Sequence, residues 1–159
     1  MLGSSDQPLI FELAEWLETP VGQYVRNWEQ RKIGAMVANA FGYHAVQVGL
    51  PQWNLLESNR ISHKVSTHQS LDGVSSLSAT PSLYAEPEYL PFESQSIDLL
   101  ILPHVLECSN NPHLVLREAE RVLVPEGRLV ISGFNPWSLW GAHGLSLIHI
   151  SEPTRLLSI

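Results

Sequence analysis

Apolar residues at helical spacing predict two helices in the first quarter of the chain. Between Leu9 and Glu18 they recur every three or four positions, and Thr19-Pro20 is expected to end this segment. Two successive apolar stripes predict a longer helix over Val21–Phe41, with Gly42 as its C-terminal stop. An amphipathic helix buries its apolar face, so both helices are expected to cover another layer of structure.

Short apolar runs after these helices predict strands. His44–Gly49, Ser62–Thr67 and Ser82–Glu86 are the first three, and 69–80, which is rich in Ser, Gly and Thr, is interpreted as a loop. Ile97–Leu102 predicts the fourth strand most clearly, because a nearly continuous apolar run is typical of a parallel strand buried on both faces.

A helix and a further strand follow the fourth strand. Asn111 and Pro112 are suited to the cap and the first position of a helix whose apolar residues share one face. Pro125-Glu126-Gly127 predicts a turn, and Arg128–Gly133 predicts the fifth strand. A strand, a helix and a strand in succession form a parallel, right-handed crossover. The fold class is therefore α/β.

Composition indicates a soluble single domain of 159 residues with a net charge of -7. Cys108 is the only cysteine, which excludes an internal disulfide framework, and the chain begins without the features of a signal peptide. No apolar run is long enough to span a membrane, so the expected location is the cytoplasm. The nine Lys and Arg residues are scattered, and nucleic acid is therefore not indicated as a partner. Neither His pairs at i, i+4 nor Cys pairs occur, so no metal site is predicted.

Two separate segments carry a resemblance to a known family. Leu90–Leu100 resembles the connection between the third and fourth strands of class I S-adenosylmethionine-dependent methyltransferases, in the type 11 branch. Leu116–Gly133 is similar to the next helix, turn and fifth strand of the same family. Gly133-Phe134-Asn135-Pro136 further resembles a bacterial subgroup that has a similar helical N-terminus. The resemblance implies a Rossmann-like, doubly wound, mostly parallel sheet in the order 3-2-1-4-5, with S-adenosylmethionine across the carboxyl ends of its strands.

The resemblance implies four cofactor-binding residues, Gly49, Glu86, Leu102 and His104. Gly49 closes the first strand where the family has a glycine-rich turn, and glycine lets a ligand approach the backbone closely. Glu86 corresponds to the position beside the adenine, where a carboxylate can accept a hydrogen bond. His104, two residues after Leu102, would face the reacting sulfur of the cofactor. There it could orient the acceptor or remove its proton, because its ordinary pKa is close to neutral. The alternative is a histidine that only hydrogen-bonds its own loop. No catalytic residue is assigned.

The sequence departs from the family pattern at two positions. The first turn has one glycine, where two or three are usual, and Val65–Gln69 contains no acidic residue for the ribose hydroxyls. Two other residues are interpreted as structural. Asp98 is expected to cap backbone donors, and Asn135-Pro136 is expected to form a turn.

The last fifteen residues do not continue the family pattern. Segment 145–159 resembles an adaptor-derived end found on unrelated open reading frames, and we predict that it is a non-native tail; the alternative is an ordinary amphipathic C-terminal segment. Residues 1–144 are then an incomplete cofactor-binding domain that lacks strands six and seven. This truncation predicts that Leu129–Ile131 form an exposed apolar edge, and that the chain as it stands is inactive.

Three functions are compatible with the sequence. The first is S-adenosylmethionine-dependent methyl transfer to an unknown acceptor, with a small molecule favoured over a macromolecule. The second is a non-catalytic, methyltransferase-like module that binds a partner. The single glycine in the first turn and the absence of an acid for the ribose favour this function. The third, a dinucleotide-dependent oxidoreductase, is disfavoured because no G-x-G-x-x-G follows the first strand.

Overall fold

The computed structural model describes residues 9–69, 80–134 and 145–150, and every structural statement below concerns these ranges. Four helices and six strands are formed. The helices are α1 (Leu9–Leu17), α2 (Pro20–Val37), α3 (Val105–Cys108) and α4 (Pro112–Val122). The strands are β1 (His44–Val48), β2 (His63–His68), β3 (Ser82–Tyr84), β4 (Ile97–Pro103), β5 (Leu123–Phe134) and β6 (Leu145–Ile150).

The strands form one sheet in the order β3-β2-β1-β4-β5-β6. The first five are parallel, which confirms the predicted order 3-2-1-4-5. Val46 of β1 lies opposite Leu100 of β4, and Ile101 of β4 lies opposite Val130 of β5, as expected for three adjacent central strands. The sheet is therefore the doubly wound arrangement that the sequence predicts.

The prediction that β5 forms an exposed apolar edge is wrong. Strand β6 pairs with β5 in the antiparallel direction from Leu129 to Phe134. Val130 is 1% exposed, and Leu129 and Ile131 are also buried. Because β6 occupies the backbone donors and acceptors of β5, the hydrophobic strand lies inside the sheet. The domain boundary at residue 144, and the origin of the segment after it, stay predictions.

Helix α2 begins as the sequence predicts and ends earlier. Thr19 caps it by accepting a hydrogen bond from the Gly22 backbone at 3.2 Å, and Pro20 occupies the first turn. The helix ends at Val37 and not at Phe41, because the Asn59 side chain donates to the carbonyls of Val37 and Ala40. A side-chain donor thus satisfies the last carbonyls of the helix, and the chain turns towards β1.

The core has one layer on each face of the sheet. Helices α1 and α2, with the segment after β1, cover one face, and α4 covers the other. Asn111 caps α4 as predicted, by accepting from the Leu114 backbone at 3.2 Å. The first layer contains Leu17, Ile33, Val37, Trp53, Leu55, Leu56, Leu99 and Ile101, and the second contains Val46, Val48, Leu100, Leu102, Val115, Ala119 and Val122.

The predicted cap at Asp98 and the predicted turn at 125–127 both lie at the amino-terminal edge of the sheet. Asp98 accepts hydrogen bonds from the backbone of Tyr43 at 2.8 Å and of His44 at 3.0 Å, which confirms its structural role. The predicted turn at 125–127 lies within β5 as a register shift, and Gly127 fits there because an added Cβ would lie 2.9 Å from the Val124 carbonyl oxygen. Asn135-Pro136 lies outside the described residues.

No helix in the described ranges is long and apolar enough to cross a membrane. In the same ranges, no group of three His, Cys, Asp or Glu residues is arranged to hold a metal ion.

Candidate functional site

The parallel topology brings three of the four predicted site residues to one edge of the sheet. Gly49, Glu86 and His104 each follow the carboxyl end of a parallel strand, namely β1, β3 and β4. Leu102 lies within β4 and belongs to the core layer on the α4 side. That these residues contact a cofactor stays a prediction, but their common edge is where ligands bind in open α/β sheets.

The turn after β1 is fixed by one buried side chain. Gly49 has a φ of 79°, in the left-handed region that favours glycine, and its backbone N–H donates to the Thr67 carbonyl of β2 at 2.9 Å. The Gln47 amide donates to the carbonyls of Gly49 at 3.1 Å and Leu50 at 2.8 Å, and its oxygen accepts from the Leu55 backbone. A single glycine is therefore sufficient for this turn, because Gln47 supplies hydrogen bonds that hold it.

Trp53, four residues after Gly49, fills the space beside His104. Its side chain is buried and meets the His104 ring edge-on, with 6.2 Å between the ring centroids. The Arg26 guanidinium of α2 lies 5.7 Å from the centroid of the indole. The segment after β1 thus joins helix α2 to the end of β4.

His104 is fully buried between two carboxylates. Its backbone is left-handed, with a φ of 55°. Its Nε2 lies 2.9 Å from Oε2 of Glu29 on α2, and its Nδ1 hydrogen-bonds Oε1 of Glu107 on α3. Glu107 also accepts from the Phe134 backbone at 2.8 Å, and the Phe134 ring lies 4.6 Å from the imidazole. His104 therefore connects the N-terminal helices to the ends of β4 and β5.

These contacts hold His104 in its charged form. Burial disfavours the imidazolium, but the hydrogen bonds to Glu107 and Glu29 and the charges of both carboxylates outweigh it and raise the pKa of His104 from 6.5 to about 9. At neutral pH both ring nitrogens are protonated, and both N–H groups are engaged. This arrangement leaves the imidazole without a lone pair, so it is not set up to remove a proton from an acceptor.

Glu86 links the ends of β2 and β3. Its Oε2 accepts from the Gln69 amide at 2.9 Å, and its Oε1 accepts from the Tyr84 hydroxyl at 3.0 Å. The hydrogen bond to Glu86 raises the pKa of the Tyr84 hydroxyl. Glu86 is solvent-exposed, so its carboxylate is accessible to a ligand that approaches this end of the sheet.

Buried polar atoms without hydrogen-bond partners lie on both faces of the sheet, near the carboxyl ends of its strands. Among the described residues they are Glu29 Oε1, Trp53 Nε1, Thr67 Oγ1 and Ser132 Oγ. Glu29 and Trp53 contact the His104 ring, the Ser132 carbonyl accepts from the His104 backbone at 2.9 Å, and Thr67 pairs with Gly49. The Thr67 side chain lies opposite Val48 and so faces the α4 layer, whereas Glu29 and Trp53 belong to the α1–α2 layer, so these atoms do not form one site.

A concave surface lies away from this edge. It is a groove of about 800 Å³ between α2 and the turn at residues 54–58. Exposed Tyr24 lies on its rim, and none of the four predicted site residues lines it. The groove is therefore separate from the strand-end site.

The comparison with family models gives the family of this fold. Residues 60–131 match the model described as a methyltransferase domain. The matched segment runs from the start of β2 into β5, and it contains Glu86, Leu102 and His104. The chain has the fold of class I methyltransferases.

Solved methyltransferase structures share this fold at low sequence identity. A chain from the complex of the Haloferax volcanii Trm112 methyltransferase activator with its methyltransferase partner has a TM-score of 0.62 and 18% identity, over 87% of this chain and 68% of that one. An S-adenosylmethionine-dependent methyltransferase from Mesorhizobium loti has a TM-score of 0.55 and 17% identity, over 76% and 63% of the two chains. At such identities these structures show the methyltransferase fold alone.

A curated relative shares more sequence. The uncharacterized protein YafS of Escherichia coli (strain K12) is 34% identical over 131 residues, which are 82% of this chain and 52% of YafS. The chain thus spans about half the length of the curated relative that it matches.

Sequence reasoning missed Glu29, a fully buried charged residue of this candidate site. Val25, Glu29, Ile33 and Val37 recur at intervals of four along α2, so Glu29 lies on the apolar stripe of the helix. A charged residue within an apolar stripe is a signal for a buried partner. The partner itself, His104, lies 75 positions away in the chain, and only the fold brings the two together.

Proposed function

We propose that this chain binds S-adenosylmethionine at the carboxyl edge of the sheet and belongs to an enzyme that transfers its methyl group to a small-molecule acceptor. The placement of Gly49, Glu86 and His104 after the carboxyl ends of three parallel strands carries the proposal, because ligands of open α/β sheets bind at that edge. When bound, S-adenosylmethionine supplies an activated methyl group on a good leaving group, so the protein needs chiefly to position the reactants.

Residues along this edge of the sheet are suited to the amino-acid end and to the adenine of such a cofactor. Gly49 leaves space for the amino-acid end to approach the backbone. Glu86 follows β3 and accepts a hydrogen bond from Gln69, which follows β2, and this pair is suited to the adenine amine.

His104 has a positioning role in this proposal. Its imidazolium joins Glu29 of α2 to Glu107 of α3 and fixes both beside the end of β4. Since both N–H groups are engaged, deprotonation of an acceptor is not assigned to His104. An acceptor that needs a base would take it from a residue other than His104.

Binding tests the proposal more directly than turnover. One structural relative was solved with an activator protein, so an inactive isolated chain would leave methyl transfer undecided. Calorimetric titration with S-adenosylhomocysteine, the product form of the cofactor, needs neither an activator nor an acceptor. We expect one site on the wild-type chain.

The Glu86→Ala variant provides the decisive comparison. Glu86 is solvent-exposed, so its truncation should change stability little. If the carboxylate accepts from the adenine amine, the variant should bind S-adenosylhomocysteine about tenfold more weakly. Ser96→Ala, which removes a hydroxyl bonded to the Glu93 carbonyl at the opposite edge, is the control and should leave binding unchanged. A wild-type chain without a binding isotherm would contradict the proposal and favour a non-catalytic binding module.

A further inference from the structure

Two histidines lie side by side at the amino-terminal edge of the sheet, opposite to the strand-end site. His44 begins β1 and His63 begins β2, and the two residues are direct partners in the parallel pairing of these strands. Both are solvent-exposed. Their imidazole rings stack, with 5.1 Å between the ring centroids and 21° between the ring planes. The pairing of β1 with β2 therefore creates a pair of imidazoles from two separate segments of the chain.

The backbone at both positions is fixed, whereas the ring nitrogens are accessible. The His44 N–H donates to the Asp98 carboxylate at 3.0 Å, and the His63 N–H donates to the Tyr43 carbonyl at 3.3 Å. Within the described ranges, neither imidazole takes part in a hydrogen bond or an ion pair, so the ring nitrogens of both can bind a ligand. Because the rings are exposed, both side chains can turn towards one atom without a change in the fold.

A pair of exposed imidazoles on neighbouring strands is suited to a late first-row divalent cation. Imidazole nitrogen is a ligand that Zn²⁺, Ni²⁺ and Cu²⁺ accept readily, whereas Mg²⁺ and Ca²⁺ prefer oxygen. Two ligands that one fold holds together bind more tightly than one, because the second acts at a high effective concentration. The spacing of metal ligands along a helix does not reveal this pair, because its members become neighbours only through the sheet.

We propose that His44 and His63 form a two-histidine site for a divalent cation of the Zn²⁺, Ni²⁺ and Cu²⁺ class. The cation bridges the starts of β1 and β2, and water completes its coordination. The nearby Asp98 carboxylate is not assigned as a ligand, because it already accepts from two backbone N–H groups. The unfolded chain does not hold the two rings together, so the cation should stabilise the fold. The site is independent of the proposed function, which concerns the opposite edge of the sheet.

Calorimetric titration with zinc chloride tests this site, with magnesium chloride as the comparison. We expect the wild-type chain to bind Zn²⁺ and not Mg²⁺. His44→Ala and His63→Ala should each weaken Zn²⁺ binding by at least about tenfold, because loss of even an outer partner of a metal ligand costs about 10- to 100-fold. His113→Ala, at an exposed histidine on α4, is the matched control and should leave the affinity unchanged. Equal Zn²⁺ affinities in all four proteins would overturn the inference.

Two measurements on the wild-type chain complement the variants. Ni²⁺ is paramagnetic, so a small amount of it should broaden the NMR ring resonances of His44 and His63 before that of His113. Saturating Zn²⁺ should raise the thermal unfolding midpoint of the wild-type chain, and this rise should be absent from His44→Ala. Broadening that begins at His113, or that reaches all three rings together, would indicate adventitious binding to single exposed histidines and would overturn the proposed pair.

Discussion

The charge on His104 should make the stability of the fold depend on pH between about 6.5 and 9. The two carboxylates raise the pKa of His104 to about 9 in the folded chain, against an ordinary value of 6.5 when unfolded. A raised pKa means that the folded state holds the proton more tightly than the unfolded state. The contribution is therefore fully present below about pH 6.5 and is lost as the pH rises through 9.

The magnitude follows from the difference between these two pKa values. It is about 2.5, and at about 1.36 kcal/mol for each pH unit it corresponds to about 3 kcal/mol. Total stabilities of domains are about 5–15 kcal/mol, so this loss is a large fraction of the whole. The effect is specific to the buried cluster, because surface ion pairs contribute at most about 1 kcal/mol.

Urea unfolding at a series of pH values measures this effect. A Cys108→Ser background is needed, since burial raises the pKa of the Cys108 thiol to about 11 and removes stability above pH 9 by a separate route. We expect the free energy of unfolding to fall by about 3 kcal/mol between pH 6.5 and 9, and His104→Gln to abolish that slope. A flat profile, or a His104 ring proton that titrates near 6.5 by NMR, would refute the reasoning.

Three further substitutions test other parts of the fold. Gly22→Ala should destabilise by at least 1 kcal/mol or so in urea unfolding, because its Cβ would lie 2.2 Å from the Trp16 carbonyl oxygen; normal stability would contradict the α1–α2 packing. Asp98→Asn should cost about 1–2 kcal/mol by weakening the bonds to two backbone N–H groups, and an unchanged unfolding midpoint would argue against this cap. Arg121→Ala should speed hydrogen exchange around Leu90, since the guanidinium holds its carbonyl at 3.0 Å; unchanged exchange there would exclude that contact.

The sheet was predictable from the sequence because its signals are local. Ile97–Leu102 is apolar at nearly every position, and only a strand buried on both faces accommodates that run. Asn111 and Pro112 likewise mark the start of α4, because an Asn side chain can cap a helix and Pro is favoured in the first turn. The end of α2 was misplaced, because the residue that ends it, Asn59, is more than twenty positions further along the chain.

The interior of the candidate site was less predictable, because tertiary contacts create it. The position of His104 follows from the end of β4, but its charge depends on Glu29, which comes from a different helix. Trp53 gave no periodic signal, since it lies in an irregular segment and is buried only when that segment closes on α2. The pairing of β6 with β5 was also missed, because no sequence pattern in either segment indicates that the two pair.

Hydrogen exchange with and without S-adenosylhomocysteine tests the central claim most directly, since it locates a binding site without an assumption about the acceptor. The account predicts slower exchange in segments 47–55, 65–69 and 102–107, which form the carboxyl edge of the sheet, and no change around Asp98 and Gly127 at the amino edge. Equal exchange in both samples, or protection confined to the amino edge or to the groove beside Tyr24, would contradict it.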